Sequence, residues 1–142
     1  MITIKVALVT ACGAKKENTP QPAGKLYKSS RIRHLYRRSK ELGLPFYILS
    51  AKYGLVNADT VIEPYDKVMT PERAAELLPQ VREVIKNFDL IIFYKGGARK
   101  EYRELIEKAC KETGTRLISF GYGNMGDIRN LDKILEGALY GI

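Results

Sequence analysis

Four short apolar runs, each leading into a polar turn and then into a stretch of helical periodicity, constrain this fold more than any other feature. They are residues 4–9 (IKVALV), 46–49 (FYIL), 89–94 (DLIIFY) and 116–120 (RLISF). Runs this short and continuously apolar, bounded by Gly, Pro and polar residues, read as buried strands. Helical patterns separate them. Ser29 or Ser30 can cap a helix that runs to about residue 42, where Gly43 stops it. Thr70-Pro71-Glu72 opens a second helix reaching about residue 87, with Pro79 as a point of kinking or division. A third spans about 100–113 and stops at Gly114, and the last covers about 128–139. Strand and helix alternating four times predict a single α/β domain over residues 1–142. It would have three layers, α/β/α, around a four-stranded, mainly parallel sheet of order 2-1-3-4 with right-handed crossovers.

Parallel strands all end on one edge, and ligands of open α/β sheets bind outside those ends. The four trailing turns would therefore meet there, bringing Cys12 and Lys15, then Lys52 and Tyr53, then Gly96, Gly97 and Arg99, then Tyr122 and Asn124. The loops after the first and third strands would diverge around a crevice. Residues 17–24 have the composition of a mobile lid or exposed connection, and residues 56–69 are irregular with one short extended piece.

Charge is distributed unevenly. Residues 1–60 hold eleven Lys and Arg against three Asp and Glu, while the remainder balances, so the whole net charge of +8 sits in the first part. A one-sided positive field favours a nucleic acid, a nucleotide or another anion. Arg31, Arg33, Arg37 and Arg38 lie together on the helix over 30–42 and are the candidate nucleic-acid contacts. No apolar stretch has the length of a membrane span, and the N-terminus runs straight into a strand pattern, so a cytoplasmic location without a membrane partner is expected. Two cysteines far apart in sequence and one histidine do not form a standard structural zinc site or suggest a structural disulfide, and no cofactor is implied.

The reactive candidates are few. Cys12, beside Gly13, Lys15 and Lys16, is a thiol next to cations and a glycine turn able to cradle an anion. Ser30 and His34 share a helix face at spacing i, i+4 unless Ser30 serves as a cap. Asp66 is a candidate general base. Lys15, Lys52 and Arg99 are phosphate-binding candidates, and Lys25 is a further ligand-binding candidate. Tyr27, Tyr53 and Tyr122 can stack on a base, and Ser50 leaves the second strand with Lys52 and Tyr53. Gly96-Gly97 offers a second anion cradle. Residues 121–126 carry the glycine spacing of a dinucleotide fingerprint, but at the last strand, with no ribose-binding acid beyond. A glycine turn that packs a helix on the sheet is the better reading there.

Cys12-x-x-Lys15, Lys25-Leu26-Tyr27-x-x-Ser30, the block LSAKYGL over 49–55 and Pro64-Tyr65-Asp66 together resemble an uncharacterised bacterial, archaeal and phage domain family. That family is related to YaaA-type proteins and to the uracil-DNA-glycosylase-like fold. The resemblance covers roughly residues 3–70. The first half is also similar to the lysine-transfer domain of archaeosine synthase, with Cys12, Lys25, Tyr27, Ser30 and His34 in corresponding order and Leu26 where that motif has proline. The resemblance implies binding or acting on a modified nucleobase or nucleic acid, such as tRNA or DNA. The leading expectation is thus a nucleotide- or nucleic-acid-directed protein, with Cys12 and Ser30 or His34 as reacting groups. The alternatives are a non-catalytic DNA- or RNA-binding module built on helix 30–42, and a small-metabolite enzyme for an anionic substrate.

Overall fold

The computed structural model describes residues 4–121 and 126–140. A five-stranded sheet forms its centre, in the order β4-β3-β1-β6-β7. The strands are β1 (Val6–Ala11), β3 (Phe46–Ser50), β4 (Gly54–Asn57), β6 (Leu90–Tyr94) and β7 (Arg116–Phe120). β1 pairs in parallel with both β3 and β6, and β6 pairs in parallel with β7. A separate two-stranded ribbon joins β2 (Gln21–Pro22) to β5 (Val61–Ile62) in antiparallel fashion.

The expected four strands become five, and the order 2-1-3-4 is replaced by one with an additional antiparallel strand at an edge. The physical cause is Gly54. At φ 78° it occupies the left-handed region, so the chain leaving β3 reverses and pairs back on it as β4, with Ser50 opposite Gly54 and Leu49 opposite Leu55. The block SAKYG is therefore a hairpin turn. Its outer edge is closed by Gln80, whose amide donates to the Leu55 carbonyl at 3.0 Å and accepts from its N–H at 2.8 Å. A side chain on Gly54 would run into Gln80. Edge strands invite pairing with other chains, and a helix-borne amide occupying those groups blunts this edge.

Strand side chains alternate between two cores, as the two-residue period requires. Ala7, Val9 and Ala11 of β1, Ile91 and Phe93 of β6 and Leu49 of β3 face α3 (Pro71–Ile85) and α4 (Lys100–Thr113). Leu8, Ile48, Leu90, Ile92 and Tyr94 face the other layer. That layer comprises α1 (Ala23–Leu26), α2 (Ser30–Leu42), α5 (Gly126–Arg129) and α6 (Leu131–Tyr140). Helices thus flank both faces of the sheet.

Caps set the helix bounds. Ser29, not Ser30, caps α2 by accepting from Ile32 N–H, and Gly43 ends it in the left-handed region. Thr70 caps α3 through Arg73 N–H, and Pro79 is accommodated within a single helix. The expected last helix is two, meeting at Asn130, whose carbonyl accepts from Lys133 and Ile134. Residues 17–24 are tied down rather than lid-like. Glu17 N–H bonds the Leu26 carbonyl, Lys16 bridges to Tyr27, and Ala23 and Gly24 bond to Thr60 and Ala58.

Candidate functional site

At the carboxyl end of β1 the chain opens into a cleft of about 290 Å³, lined from five places. The loop after β1 contributes Cys12, Gly13, Ala14 and Lys16. The turn after β6 contributes Gly97 and Arg99, and α4 contributes Tyr102. α2 sends in Arg31, and the irregular segment after β5 brings Asp66, Lys67 and Val68. β1 lies between β3 and β6, so the groups following it sit mid-sheet, where loops on either side part.

Cys12 continues the strand pairing for one residue, its N–H donating to the Leu49 carbonyl at 3.0 Å. Its half-buried Sγ lies 3.3 Å from the phenol oxygen of Tyr102. Burial, followed by the nearby Cys12, raises the Tyr102 hydroxyl well above the ordinary phenol range. Tyr102 therefore keeps its proton at neutral pH and can donate it as a hydrogen bond to sulfur.

Arg31 reaches from the first turn of α2 to the end of β1. Its Nη1 donates to Thr10 Oγ1 at 2.6 Å and to the Ala11 carbonyl at 3.3 Å. Thr10, itself buried, donates its hydroxyl hydrogen bond to the Tyr94 carbonyl at 3.1 Å. Burial lowers the Arg31 pKa, a sign that its charge stands in a poorly solvated place. The cleft contains four cations, Lys16, Arg31, Lys67 and Arg99, against one carboxylate, Asp66. Arg99 is also drawn toward Glu101, at 3.6 Å.

Behind the cleft lies a chain of three hydroxyls. Ser50 Oγ donates to Tyr65 OH at 2.7 Å, and Tyr65 OH meets Tyr27 OH at 2.6 Å. Ser50 Oγ also accepts the N–H groups of Lys52 and Tyr53 at 3.1 and 3.0 Å, fixing the hairpin turn. Burial, with Cys12 close by, raises both phenols far above their usual range. Lys16 Nζ lies 4.3 Å from the centre of the Tyr65 ring, a cation–π contact, and donates to the Ala14 carbonyl at 2.9 Å. The chain thereby ties the segment carrying Asp66 and Lys67 to the ends of both β1 and β3.

Of the residues expected from sequence, Cys12, Asp66, Gly97, Arg99 and Arg31 meet in this cleft. Arg31 was expected on an outward nucleic-acid face and instead turns inward. Ser50 and Tyr27 lie in the hydroxyl chain. Tyr27 is 0% exposed, so it presents no ring face for a base, a correction imposed by its place under Tyr65. Tyr53 is edge-on to Tyr65 at 5.6 Å, and Lys52 Nζ lies 5.2 Å from the Tyr53 ring. Lys52 does not line the cleft, because the hairpin carries it to the sheet edge. Lys15 and Lys25 are exposed, with Lys25 near Arg33 and Tyr36 on the far side of α1. Gly96 is buried beside Gly97.

Ser30 is exposed, and His34 lies along α2 among Arg37, Arg38 and Arg129. Burial, then those cations, lowers the His34 pKa, so it is neutral at pH 7 and away from the cleft. The four arginines do not share one face: Arg33 and Arg37 line a groove with Lys25 and Lys40, while Arg31 turns inward. Arg33 pairs with Glu17, and Arg38 pairs with Glu41 and Asp132 and donates to the Ile128 and Arg129 carbonyls. Tyr122, Asn124 and most of the 121–126 glycine motif lie outside the described residues.

Tyr102, Tyr65, Lys16 and Lys67 were not singled out as site residues from sequence. Tyr102 has a legible signal: with Leu105, Ile106 and Ala109 it forms the buried stripe of α4, and as the first of these it must lie over the carboxyl edge of the sheet.

The chain belongs to a family of unknown function (DUF6884), whose model matches residues 6–121. No curated protein matches it. Among solved structures it is similar to a novel β-glucosidase, EmGH1, from Erythrobacter marinus, at 15% identity and a TM-score of 0.43. The match covers 82% of this chain and 19% of that one, so the chain spans about a fifth of the glucosidase's length.

Proposed function

We propose that this family member is an enzyme directed to a nucleotide or a nucleotide unit of nucleic acid, reacting through Cys12 in the cleft at the end of β1. The observation that carries the reading is the cleft's composition: a thiol among four cations and one carboxylate, at the crossover point of a parallel sheet. A thiol is a strong nucleophile once its proton is removed. Asp66 is the carboxylate in the same cleft to receive that proton, and Tyr102 orients the sulfur by its 3.3 Å contact. The cations would hold the phosphate of the ligand. The resemblance of residues 3–70 to YaaA-related proteins and the uracil-DNA-glycosylase-like fold supports a ligand containing a nucleobase.

The non-catalytic reading through helix 30–42 receives less support, because Arg31 turns into the cleft and Arg33 and Arg38 are engaged within the molecule. The discriminating experiment titrates the protein with a panel of ribo- and deoxyribonucleotides and with a single-stranded oligonucleotide, then repeats it with Cys12→Ala. The proposal expects saturable binding of a nucleotide or the oligonucleotide, retained in Cys12→Ala, and conversion of that ligand only by the parent protein. Conversion unchanged in Cys12→Ala would overturn the role of the thiol. Binding abolished by Arg37→Gln but indifferent to Lys16→Gln and Lys67→Gln would move the function to the helix.

A further inference from the structure

We infer that Arg31 is the charge anchor of the cleft and that the group it takes is a doubly charged phosphoryl group, such as the terminal phosphate of a free nucleotide. The inference rests on the proposed use of the same cleft, and it deepens that reading by naming the group that is bound and the residue that binds it.

Three observations converge on Arg31. First, it is a half-buried guanidinium with no carboxylate within ion-pair distance among the described residues. Arg33, Arg38, Arg73, Arg82 and Arg99 each have one. Taking a cation out of water without a counter-charge is costly, and a site built this way gains most when an anion arrives. Second, its protein hydrogen bonds come from Nη1 alone, to Thr10 and the Ala11 carbonyl. These bonds fix the plane of the guanidinium, and the two-pronged edge formed by Nε and Nη2 remains for an oxyanion to meet bidentately. Third, Gly97, at φ 76°, brings the turn after β6 close against the guanidinium, where a Cβ would meet Nε at 3.6 Å and Cζ at 4.0 Å in ordinary contact.

The charge count favours a dianion. Four cations against Asp66 and the Glu101 that lies 3.6 Å from Arg99 leave a net charge of two, more than a carboxylate or a single phosphodiester neutralises. A terminal phosphate carries close to two negative charges at neutral pH and offers three acceptor oxygens. Lys16, Lys67 and Arg99 then surround the oxygens that Arg31 does not take, and Cys12, on the residue after the Ala11 carbonyl that Arg31 grips, lies beside the bound group.

The test is calorimetric titration of the full chain with inorganic pyrophosphate, uridine monophosphate and a single-stranded oligonucleotide without terminal phosphates, at fixed salt. The parent protein should bind pyrophosphate and the mononucleotide one to one, and the oligonucleotide at least tenfold more weakly. Arg31→Gln should weaken pyrophosphate at least tenfold, whereas Lys111→Gln, the same charge change at the far end of α4, should leave it unchanged. Should Arg31→Gln fail to fold, Arg31→Lys, which keeps the charge and loses the two-pronged edge, tests the same group, with a several-fold loss expected. Equal affinity in parent and Arg31→Gln, or in parent and Arg31→Lys if that variant has to stand in, would overturn the role of Arg31 and leave the cleft's function standing. Nucleotide binding without pyrophosphate binding, or an oligonucleotide preferred over the mononucleotide, would overturn the choice of a terminal phosphoryl group alone. No binding of any of the three would overturn both this inference and the proposed function.

Discussion

Replacing Tyr65 with phenylalanine removes one oxygen from the centre of the hydroxyl chain and leaves the ring in place. Two buried groups lose a partner. Ser50 Oγ donates to Tyr65 at 2.7 Å, and Tyr27 OH meets it at 2.6 Å; Ser50 and Tyr27 are both 0% exposed. An orphaned buried hydroxyl costs about 1–3 kcal/mol. Ser50 Oγ still accepts from Lys52 and Tyr53, so its share falls at the low end. The edge-on packing of the ring against Tyr27 and Tyr53 survives. The expected loss is about 2–3 kcal/mol, with the midpoint of urea unfolding lowered and its slope unchanged. Tyr27→Phe should cost only about 1 kcal/mol, since Tyr65 keeps Ser50 as a donor. The double variant should cost about 2 kcal/mol, less than the sum of the singles, because the Tyr27 oxygen orphaned by one change is deleted by the other. A Tyr65→Phe loss under about 0.5 kcal/mol, the size of an ordinary surface change, would refute the chain as a structural link. Strict additivity of the two changes would refute their coupling.

Other outcomes follow from the same coordinates. In native protein an alkylating reagent should modify Cys12 and spare Cys110, which is buried and whose thiol burial pushes up to about 12; intact mass should show one adduct, and two after unfolding. Stability should fall as pH rises from about 9 toward 12. Over that window the unfolded chain has released the Cys110 proton, with an ordinary value of 9.0, while the folded chain still holds it, so folding binds protons and alkali opposes it. The raised phenols of Tyr27, Tyr65 and Tyr102 act in the same direction, and Cys110→Ala should flatten its part of the slope. Gln80→Ala should cost about 1–3 kcal/mol by freeing both backbone groups of Leu55 on the β4 edge, measured by urea unfolding.

What sequence could and could not reveal divides along local and long-range causes. The runs at β1 and β6 were legible because buried parallel strands are continuously apolar, and β7, largely unburied at the sheet edge, through its Leu117, Ile118 and Phe120. The starts of α2 and α3 were legible because Ser29 and Thr70 act within three residues of themselves. The strand β4 was missed because four residues carry too little period, and its pairing depends on a glycine whose sign of φ is not written in its neighbours. That omission displaced Lys52 from the expected site to an edge hairpin. Arg31 reads with its sequence neighbours as part of a basic face, yet two residues, about 200° around the helix, separate it from Arg33. Whether a guanidinium faces water or Thr10 is decided by residues twenty or more positions away. Tyr65 in an irregular segment gave no period at all, and its role rests on two long-range hydroxyl contacts.

The central claim is that an anion occupies the cleft directly beside the Cys12 sulfur, and the rate of Cys12 alkylation with and without pyrophosphate measures it. The account predicts that pyrophosphate slows alkylation saturably in the parent protein and that the protection is lost in Arg31→Gln. A rate that stays the same at every pyrophosphate concentration would contradict it.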